Sequence, residues 1–251
     1  MSTWAFVQAR MGSTRLPGKV LEPLAGKPAL ERMLERLAAA PGVDEVAVLT
    51  SDLPRDEVVA RLAEDAGFRA FAGSESDVLD RFARAAAQFG ADQVVRCTAD
   101  CPLIDPEVVG RLLELYAAGE LDLAAVATGA LPPEPGLRRF PDGLDAEVLS
   151  AELLAVAAAE AEDPYEREHV TPFFYRRPER FTSGLLQADE DLGHERWTVD
   201  HPEDLELVQA IWDRLAPTGR FGFRDVLALL DREPSLRQLN AARLAHPRAS
   251  S

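Results

Sequence analysis

The part of this sequence best suited to chemistry is a basic, glycine-containing segment, residues 8–19, that follows a short apolar run. Its cations are Arg10, Arg15 and Lys19, and its glycines are Gly12 and Gly18. Arginine can hold phosphate oxygens through two hydrogen bonds, lysine acts as a mobile point charge, and glycine lets the backbone approach an oxyanion. The segment therefore predicts a polyphosphate site. Charge alone leaves a solvated surface loop as the alternative.

The spacing within this segment excludes two common phosphate-binding motifs. Five residues separate Gly12 from Gly18, where a Walker A loop has four, and Val20 follows Lys19 where that loop needs Ser or Thr. The segment is also not a G-x-G-x-x-G loop.

Two acidic positions follow predicted strands far apart in the chain. Asp100 ends a strand predicted at residues 92–98, and Asp200 ends one predicted at residues 196–199. A carboxylate beside a polyphosphate needs a cation between them, and Mg²⁺ usually takes one or two carboxylates plus phosphate oxygens. Helix capping is the alternative for both, although Asp105 fits the cap of its helix better than Asp100 does.

Elements that would position these residues alternate regularly in the first half. Predicted strands cover residues 4–9, 43–50, 68–71, 92–98 and 121–128, and predicted helices cover 28–39, 54–65, 77–89 and 106–118. This alternation predicts an α/β fold with a mostly parallel sheet and helices on both faces, which binds ligands at the carboxyl ends of its strands.

The second half is less regular. Residues 130–141 are rich in proline and predict a loop. Helices are predicted at 151–162, 166–175 (interrupted at Pro172), 202–215 and 223–230, strands at 181–186 and 196–199, and a disordered tail from residue 244.

Composition narrows the class of protein. A net charge of −16 over 251 residues argues against a nucleic-acid partner. No apolar run approaches the ~20 residues of a membrane span, and the start of the sequence does not read as a secretory signal. The two cysteines, Cys97 and Cys101, do not suggest a disulfide scaffold or a zinc site. A cytoplasmic protein without a membrane partner is predicted.

The string Gln8-Ala9-Arg10-x-x-Ser13-Thr14-Arg15-Leu16-Pro17-Gly18-Lys19 resembles the N-terminal signature of the sugar-acid cytidylyltransferases. These include SpsF-like proteins, CMP-Kdo synthetase and acylneuraminate cytidylyltransferase, and the resemblance spans about residues 3–215. It implies a Rossmann-like fold of the nucleotide-diphospho-sugar transferase type, in which this loop wraps the triphosphate of CTP. The implied nucleotide contacts here are Gln8, Ala9, Arg10, Gly12, Ser13, Arg15 and Lys19.

The two acidic strand ends extend the resemblance. Residues 96–105 are similar to the family's (R/L)-T-G-D-C-P-L-I-D, with Ala99 in place of the usual glycine, and residues 197–205 are similar to V-D-T-P-E-D-L, with His201 in place of threonine. The resemblance implies that Asp100 and Asp200 bind Mg²⁺ and that Thr98 lies at the nucleotide. It implies five catalytic residues: Arg10, Arg15, Lys19, Asp100 and Asp200.

Three further strings resemble those of the SpsF-like branch. Residues 73–82 imply a base pocket with Gly73, Ser74 and Asp77, although a capped helix start is the alternative. Residues 141–148 and 167–172 imply acceptor binding, and the implied contacts are Asp142, Asp145, Glu147, Arg167, Glu168 and His169. A surface salt-bridge cluster or a plain turn is the alternative for these two strings.

The predicted reaction is transfer of CMP from CTP to an acidic sugar, Kdo-like or sialic-acid-like, or to a similar acid, with release of pyrophosphate. The rivals are a glycosyltransferase that uses a sugar nucleotide and a non-catalytic nucleotide-binding subunit. The predicted domain is 1–216, with a nucleotide-binding half at 1–128 and an acceptor-binding subregion at 129–200, and 217–251 form a C-terminal extension. The family resemblance also implies a homodimer.

Overall fold

Short apolar strands alternate with amphipathic helices in the computed structural model, which describes residues 1–129, 131 and 135–244. The strands are β1 (Thr3–Gln8), β2 (Pro23–Leu24), β3 (Lys27–Pro28), β4 (Glu45–Ser51), β5 (Arg69–Gly73), β6 (Gln93–Thr98), β7 (Leu123–Val126), β8 (Glu147–Ser150) and β9 (Ser183–Leu186). The helices are α1 (Ala29–Ala38), α2 (Glu57–Asp65), α3 (Val78–Phe89), α4 (Pro106–Ala118), α5 (Ala151–Glu160), α6 (Pro164–His169), α7 (Pro172–Tyr175), α8 (Pro202–Leu215), α9 (Phe223–Arg232) and α10 (Ala241–Leu244).

Seven of these strands form one sheet within the described residues, in the order β5-β4-β1-β6-β8-β7-β9. Strand β8 runs antiparallel to both of its neighbours, and the other pairings are parallel. Glu147, at the start of β8, therefore lies opposite Arg96, near the end of β6. The first residues of β8 and the last residues of β1 and β6 thus share the carboxyl edge of the sheet.

Each face of the sheet carries its own hydrophobic core. One core joins α1, α4, α8 and α9 to the sheet, and its largest buried side chain is Trp197. The other lies under α3 and α5 and contains a cluster of rings in which Trp4 stacks on Phe89 and Phe6 meets Phe82 edge to face. Since adjacent strand residues point to opposite faces, Phe6 and Val7 serve different cores.

The predicted fold class, an α/β protein with a mostly parallel sheet and helices on both faces, is confirmed. Most first-half boundaries agree to within one or two residues: α4 begins and ends where predicted, and α1 is one residue shorter at each end. The break at Pro172 is also confirmed, since α6 ends at His169 and α7 begins at that proline.

Two predictions about strands need correction. The strand predicted at 196–199 is wrong, because this segment makes one isolated bridge, between Arg196 and Asp142, and pairs otherwise with loops: the Val199 amide donates to the Asp100 carbonyl at 2.8 Å. The structure also adds strand β8, which the sequence pattern does not predict and which begins at Glu147, near the end of the string 141–148 that resembles an acceptor motif.

The described segment after residue 216 packs helix α9 and the following turns onto α8. The predicted disordered tail begins at residue 244, which ends α10, and its residues 245–251 lie outside the described residues. Residues 130 and 132–134 of the predicted loop 130–141 also lie outside the described residues. No helix among the described residues is long and apolar enough to cross a membrane.

Candidate active site

Residues 8–19, the basic loop, leave β1 at the carboxyl edge of the sheet, and this loop closes on itself through its own backbone hydrogen bonds. The Met11 carbonyl accepts hydrogen bonds from the backbone amides of Ser13 at 2.9 Å and Gly18 at 3.1 Å. Gly18 has φ +73°, a left-handed conformation that costs glycine little. The fully buried Asp56 accepts a hydrogen bond from the Met11 amide at 2.6 Å, which ties the loop to the turn after β4. The loop is therefore held as a compact turn that ends at Lys19.

Lys19 lies where the two acidic strand ends meet. Its Nζ donates to the Val199 carbonyl at 2.6 Å and to Asp200 Oδ1 at 3.0 Å, and it lies 3.7 Å from Asp100 Oδ2. The guanidinium of Arg15 lies 3.0 Å from the same Asp200 oxygen. Four of the five predicted catalytic residues are thus linked by ion pairs, from Asp100 through Lys19 and Asp200 to Arg15.

Other residues cap the helices that follow these two carboxylates. Asp105 Oδ1 accepts from the Glu107 and Val108 amides at the start of α4, as the sequence predicted. Helix α8 is capped at His201, whose backbone amide donates to Asp204. Asp100 instead accepts a hydrogen bond at Oδ1 from the Thr98 hydroxyl at 2.6 Å. This bond also places the predicted nucleotide contact Thr98 beside Asp100.

The carboxylates of Asp100 and Asp200 suit a hard divalent cation completed by substrate. Their oxygens face the same ammonium group, so their negative charges act on one small volume. No set of three or more His, Cys, Asp or Glu side chains among the described residues is arranged to hold a metal ion. Two carboxylates with phosphate oxygens and waters are what Mg²⁺ commonly takes, so the donor set fits magnesium bound together with a polyphosphate.

Arg10, the fifth predicted catalytic residue, points to the loop after β5. Its guanidinium lies 3.8 Å from Glu75, which also pairs with Arg55. Arg55 packs against Gly12, where an added Cβ would lie 3.2 Å from its Nη2. Burial, and after it the positive charge of Arg10, lowers the pKa of the nearby Arg81 to about 10. This corner of the site is therefore strongly positive.

The predicted base-pocket residues lie in that same loop. Gly73 ends β5, and the Ser74 hydroxyl accepts a hydrogen bond from the Asp77 amide at 3.1 Å. Asp77 caps α3 by accepting from the Asp80 amide at 3.0 Å, and its other oxygen lies 2.6 Å from Arg167. Asp77 and Arg167 therefore join the predicted base pocket to the predicted acceptor region.

Asp142 and Asp145 belong to a tight turn beside Asp100 and Asp200. Gly143 between them has φ +112°, and an added Cβ there would lie 2.6 Å from the Thr198 nitrogen. Asp145 accepts from the Thr128 hydroxyl at 2.7 Å and from the Gly143 amide at 2.9 Å. Asp142 pairs with Arg196 at 2.9 Å. The turn thus packs directly against the backbone that leads into Asp200.

A line of polar side chains crosses the carboxyl edge beside this turn. Arg96 donates to Gln8 Oε1 at 3.2 Å and pairs with Glu147, which in turn accepts from the Thr171 hydroxyl at 2.7 Å. The buried Val170 before Thr171 has φ +69° in a γ-turn, closed by the Thr171 amide on the His169 carbonyl at 2.8 Å. A β-branched residue at positive φ is strained, so the fold holds this turn against a cost.

The remaining predicted acceptor residues lie on α6. The His169 ring packs 4.3 Å from that of Tyr165, and Glu168 is exposed. The guanidinium of Arg167 donates to the carbonyls of Ala158 and Ala161 as well as to Asp77, so its contacts are within the protein. The structure thus brings Gln8 and Glu147 into one network and leaves Arg167 and Glu168 outside it.

Three residues important to this geometry were not predicted: Asp56, Arg96 and Arg196. Arg96 and Arg196 lie two and four residues before Thr98 and Asp200, so in extended chain they share a side with those residues. That alternation was an available signal. No sequence pattern indicated the role of Asp56, because its partner Met11 is 45 residues away.

A cavity of about 570 Å³ lined by Phe68 and Gln88 lies at the opposite edge of the sheet, and no predicted site residue lines it.

Comparison with known proteins bears on this geometry. A family profile described as cytidylyltransferase matches residues 4–214. The chain is 30% identical over 235 residues to the spore coat polysaccharide biosynthesis protein SpsF of Bacillus subtilis, covering 91% of this chain and 93% of that protein. It is 32% identical over 238 residues to the 3-deoxy-manno-octulosonate cytidylyltransferase of Anaeromyxobacter dehalogenans strain 2CP-1, covering 82% and 95%.

A solved structure of a cytidylyltransferase has a similar fold. The structure of a cytidylyltransferase from Leptospira borgpetersenii serovar Hardjo-bovis superimposes with a TM-score of 0.84 at 31% identity, covering 94% of this chain and 96% of that one.

Proposed function

Because this chain belongs to the cytidylyltransferase family, we propose that it transfers CMP from CTP to an acidic sugar or a similar acid and releases pyrophosphate. The names of two relatives support an acidic sugar as acceptor and a role in making a polysaccharide precursor. One relative is a 3-deoxy-manno-octulosonate cytidylyltransferase, whose substrate is an acidic sugar, and another acts in spore coat polysaccharide biosynthesis.

The observation that carries the proposal is the meeting of the basic loop with both acidic strand ends. Lys19 lies 3.0 Å from Asp200 and 3.7 Å from Asp100, and Arg15 lies 3.0 Å from Asp200. Cations for a polyphosphate and carboxylates for a metal are thus held at one point. A site with both signs of charge suits phosphoryl chemistry better than simple anion storage.

The residues of the chain act by positioning and by charge. An acceptor oxygen attacks the α-phosphorus of CTP, the bond to the β-phosphate oxygen breaks, and pyrophosphate leaves. Arg10, Arg15 and Lys19 neutralise the β- and γ-phosphates as negative charge grows on the leaving group. The hydrogen bond from the Met11 amide to Asp56 holds the backbone of this loop before substrate arrives, which limits the reorganisation that the cations need on binding.

Asp100 and Asp200 are the residues that would hold Mg²⁺. When bound, the ion supplies charge neutralisation at the α-phosphate and lowers the pKa of the attacking hydroxyl. The Thr98 hydroxyl orients Asp100 through a hydrogen bond of 2.6 Å.

On the acceptor side we assign Arg96, Glu147 and Thr171, together with His169. Gln8, an implied nucleotide contact, joins this polar line through its hydrogen bond from Arg96. The Asp142–Asp145 turn forms the wall between this region and the Asp100–Asp200 carboxylates. We place the cytosine base near Gly73, Ser74 and Asp77, because Glu75 in the same loop reaches Arg10 of the basic loop. Glu168 and Arg167 remain proposed at the outer limit of the acceptor region.

A glycosyltransferase is the enzyme alternative, and its metal motif would be Asp189-x-Asp191. These two residues are used elsewhere: Asp191 pairs with Arg139 at 2.8 Å and Asp189 with Arg224 at 2.6 Å. Neither arginine belongs to the basic loop, and both carboxylates are largely exposed, at 71% for Asp189 and 46% for Asp191. The Asp100–Asp200 pair lies beside the cations that would bind a polyphosphate, so it is the better metal site for this chemistry.

The decisive experiment measures pyrophosphate release with Mg²⁺ and each of CTP, UTP, ATP and GTP, against a panel of acidic sugars. The proposal expects release that requires CTP and one class of acid. Preference for a purine nucleotide would overturn the cytidylyl assignment. CTP binding without release on any acid would favour a non-catalytic nucleotide-binding subunit, and glycosyl transfer from a sugar nucleotide would favour the enzyme alternative. The homodimer implied by the family is tested by light scattering on the same preparation.

A further inference from the structure

A buried arginine lies among three carboxylates directly behind the metal site. The Arg196 guanidinium binds Asp142 at 2.9 Å, Asp200 at 3.1 Å and Asp204 at 3.0 Å. All four side chains are at most 9% exposed. Groups this buried hold one another in fixed geometry, because each charged group left without its partners would be costly.

The two oxygens of Asp200 have different surroundings. Oδ2 accepts from Arg196, whereas Oδ1 is the oxygen that lies 3.0 Å from both Lys19 and Arg15. Arg196 therefore fixes the plane of the carboxylate and turns Oδ1 toward the basic loop. The Asp200 backbone amide also donates to Asp204 at 3.2 Å, so main chain and side chain are held by the same cluster.

This cluster continues into the C-terminal extension through one buried amide. Nδ2 of Asn240 donates to the Arg196 carbonyl at 2.9 Å and to Asp204 Oδ1 at 3.1 Å. Both partners are pure acceptors, which requires the NH₂ end of the amide to face them. Asn240 is only 3% exposed, although it lies beyond the last helix of the predicted catalytic domain.

We propose that Arg196 and Asn240 are positioning residues that orient Asp200 for the divalent metal, so that the C-terminal extension is a working part of the active site. The inference rests on the proposed function in one respect, that Asp200 holds the ion. Hydrogen-bond partners behind a metal ligand typically change metal affinity or activity ~10–100-fold when they are replaced.

The test uses the full chain and the variants Asn240→Ala and Arg196→Lys. Mn²⁺ serves as a paramagnetic probe, and its affinity is measured by electron paramagnetic resonance in the presence of CTP. We expect about tenfold weaker Mn²⁺ binding for Asn240→Ala and up to about 100-fold weaker binding for Arg196→Lys, which keeps the charge and loses the forked geometry.

Arg214→Ala is the matched control. Arg214 pairs with Glu233 at 2.7 Å and so also fastens α8 to the extension, but it does not touch the buried cluster. It should leave Mn²⁺ affinity unchanged. If Asn240→Ala does not fold, Asn240→Ser keeps one short donor and should give a smaller loss of affinity. Wild-type affinity in the folded Asn240 and Arg196 variants, or an equal loss in all three including Arg214→Ala, would overturn the inference.

The same experiment separates this inference from the proposed function. Mn²⁺ binding needs neither an acceptor nor turnover, so a wild-type protein that releases no pyrophosphate would defeat the proposed reaction while the variants still report on Asp200. A wild-type protein that binds no Mn²⁺ in the presence of CTP would overturn the inference itself. As a further readout, a crystal structure of Asn240→Ala should show the Asp200 carboxylate rotated, and an unmoved Asp200 would also count against it.

Discussion

Removal of the Lys19 ammonium is the sharpest test of the proposed chemistry. In the Lys19→Ala variant, Asp100 and Asp200 lose the cation that lies within 3.7 Å and 3.0 Å of them. Lys27→Ala is the matched control: the same substitution removes a half-exposed ammonium that pairs with Glu31 and Glu35 on α1, away from the site.

The size of the effect follows from those distances. At an effective dielectric constant of about 20, unit charges separated by 3.0 to 3.7 Å attract by about 4.5–5.5 kcal/mol. Desolvation offsets part of this, and a lost electrostatic contact in a water-excluded site typically costs about 3–4 kcal/mol, or ~10²–10³ in kcat. We expect a loss of that size in Lys19→Ala and less than a threefold change in Lys27→Ala.

Steady-state pyrophosphate release at saturating Mg²⁺ and acceptor gives kcat and the KM for CTP. A second measurement, Mn²⁺ affinity without nucleotide, distinguishes the roles that Lys19 could have. If Lys19 acts on the phosphates, its removal lowers kcat and leaves the metal affinity equal or tighter, because the ammonium no longer competes with the ion. Turnover within threefold of wild type, or a fall in metal affinity that accounts for the whole loss, would refute this reasoning.

Three other outcomes follow from the structure. Gly143→Ala should destabilise the fold by about 4 kcal/mol or more in chemical denaturation, because its Cβ would meet the Thr198 backbone at 2.6 Å. Gly67→Ala, also at positive φ but in open space, should cost only about 1–2 kcal/mol, and equal costs would contradict the clash. Burial raises the pKa of the Cys97 thiol from 9.0 to about 12, so the folded chain keeps a proton that the unfolded chain loses. The free energy of unfolding should then fall between these two pH values by up to about 1.4 kcal/mol per unit, and an identical pH slope in Cys97→Ala would exclude this contribution. Chelation of divalent metal should abolish pyrophosphate release and added Mg²⁺ should restore it, whereas activity that survives exhaustive chelation would remove the metal from the proposal.

The first half of the fold was predictable because its signals are local. Each strand from β1 to β6, apart from the two-residue β2 and β3, is an apolar run, and each following helix repeats its apolar residues at helical spacing. Strand β8 gave no such signal. Its four residues include adjacent buried Val148 and Leu149, and its existence depends on pairing with β6, more than 50 residues earlier.

The incorrect strand at 196–199 has a related cause. Trp197, Thr198 and Val199 are typical strand residues, and all three are buried. Their hydrogen bonds go to the loops at Asp100 and Asp142, not to a neighbouring strand. The residue types of a segment indicate that it is buried, but the whole fold decides which segment it pairs with.

The same division applies to the candidate site. Lys19 and Asp100 could be placed at one edge of the sheet from sequence, since each follows a strand that forms, β1 or β6. The prediction for Asp200 relies on a strand that does not form, and loop pairing brings this residue to the same point. Their supporting residues could not, because Asp56 acts 45 residues from its partner Met11 and Asn240 acts 44 residues from Arg196. Such contacts are set by packing between distant segments, and single-sequence patterns do not report them.

The reversed direction of β8 also decides which end of a helix lies at the carboxyl edge of the sheet. Helices α3 and α4 follow parallel strands, so their amino ends, which carry positive partial charge, lie at this edge. Helix α5 follows β8 and starts at the other edge, where Ser150 lies opposite Gln93, so it is the carboxyl end of α5 that lies at the carboxyl edge. That end carries negative partial charge, and Arg167 covers its Ala158 and Ala161 carbonyls. If the acceptor is the acid that we propose, it meets a helix end whose negative charge the protein has already offset.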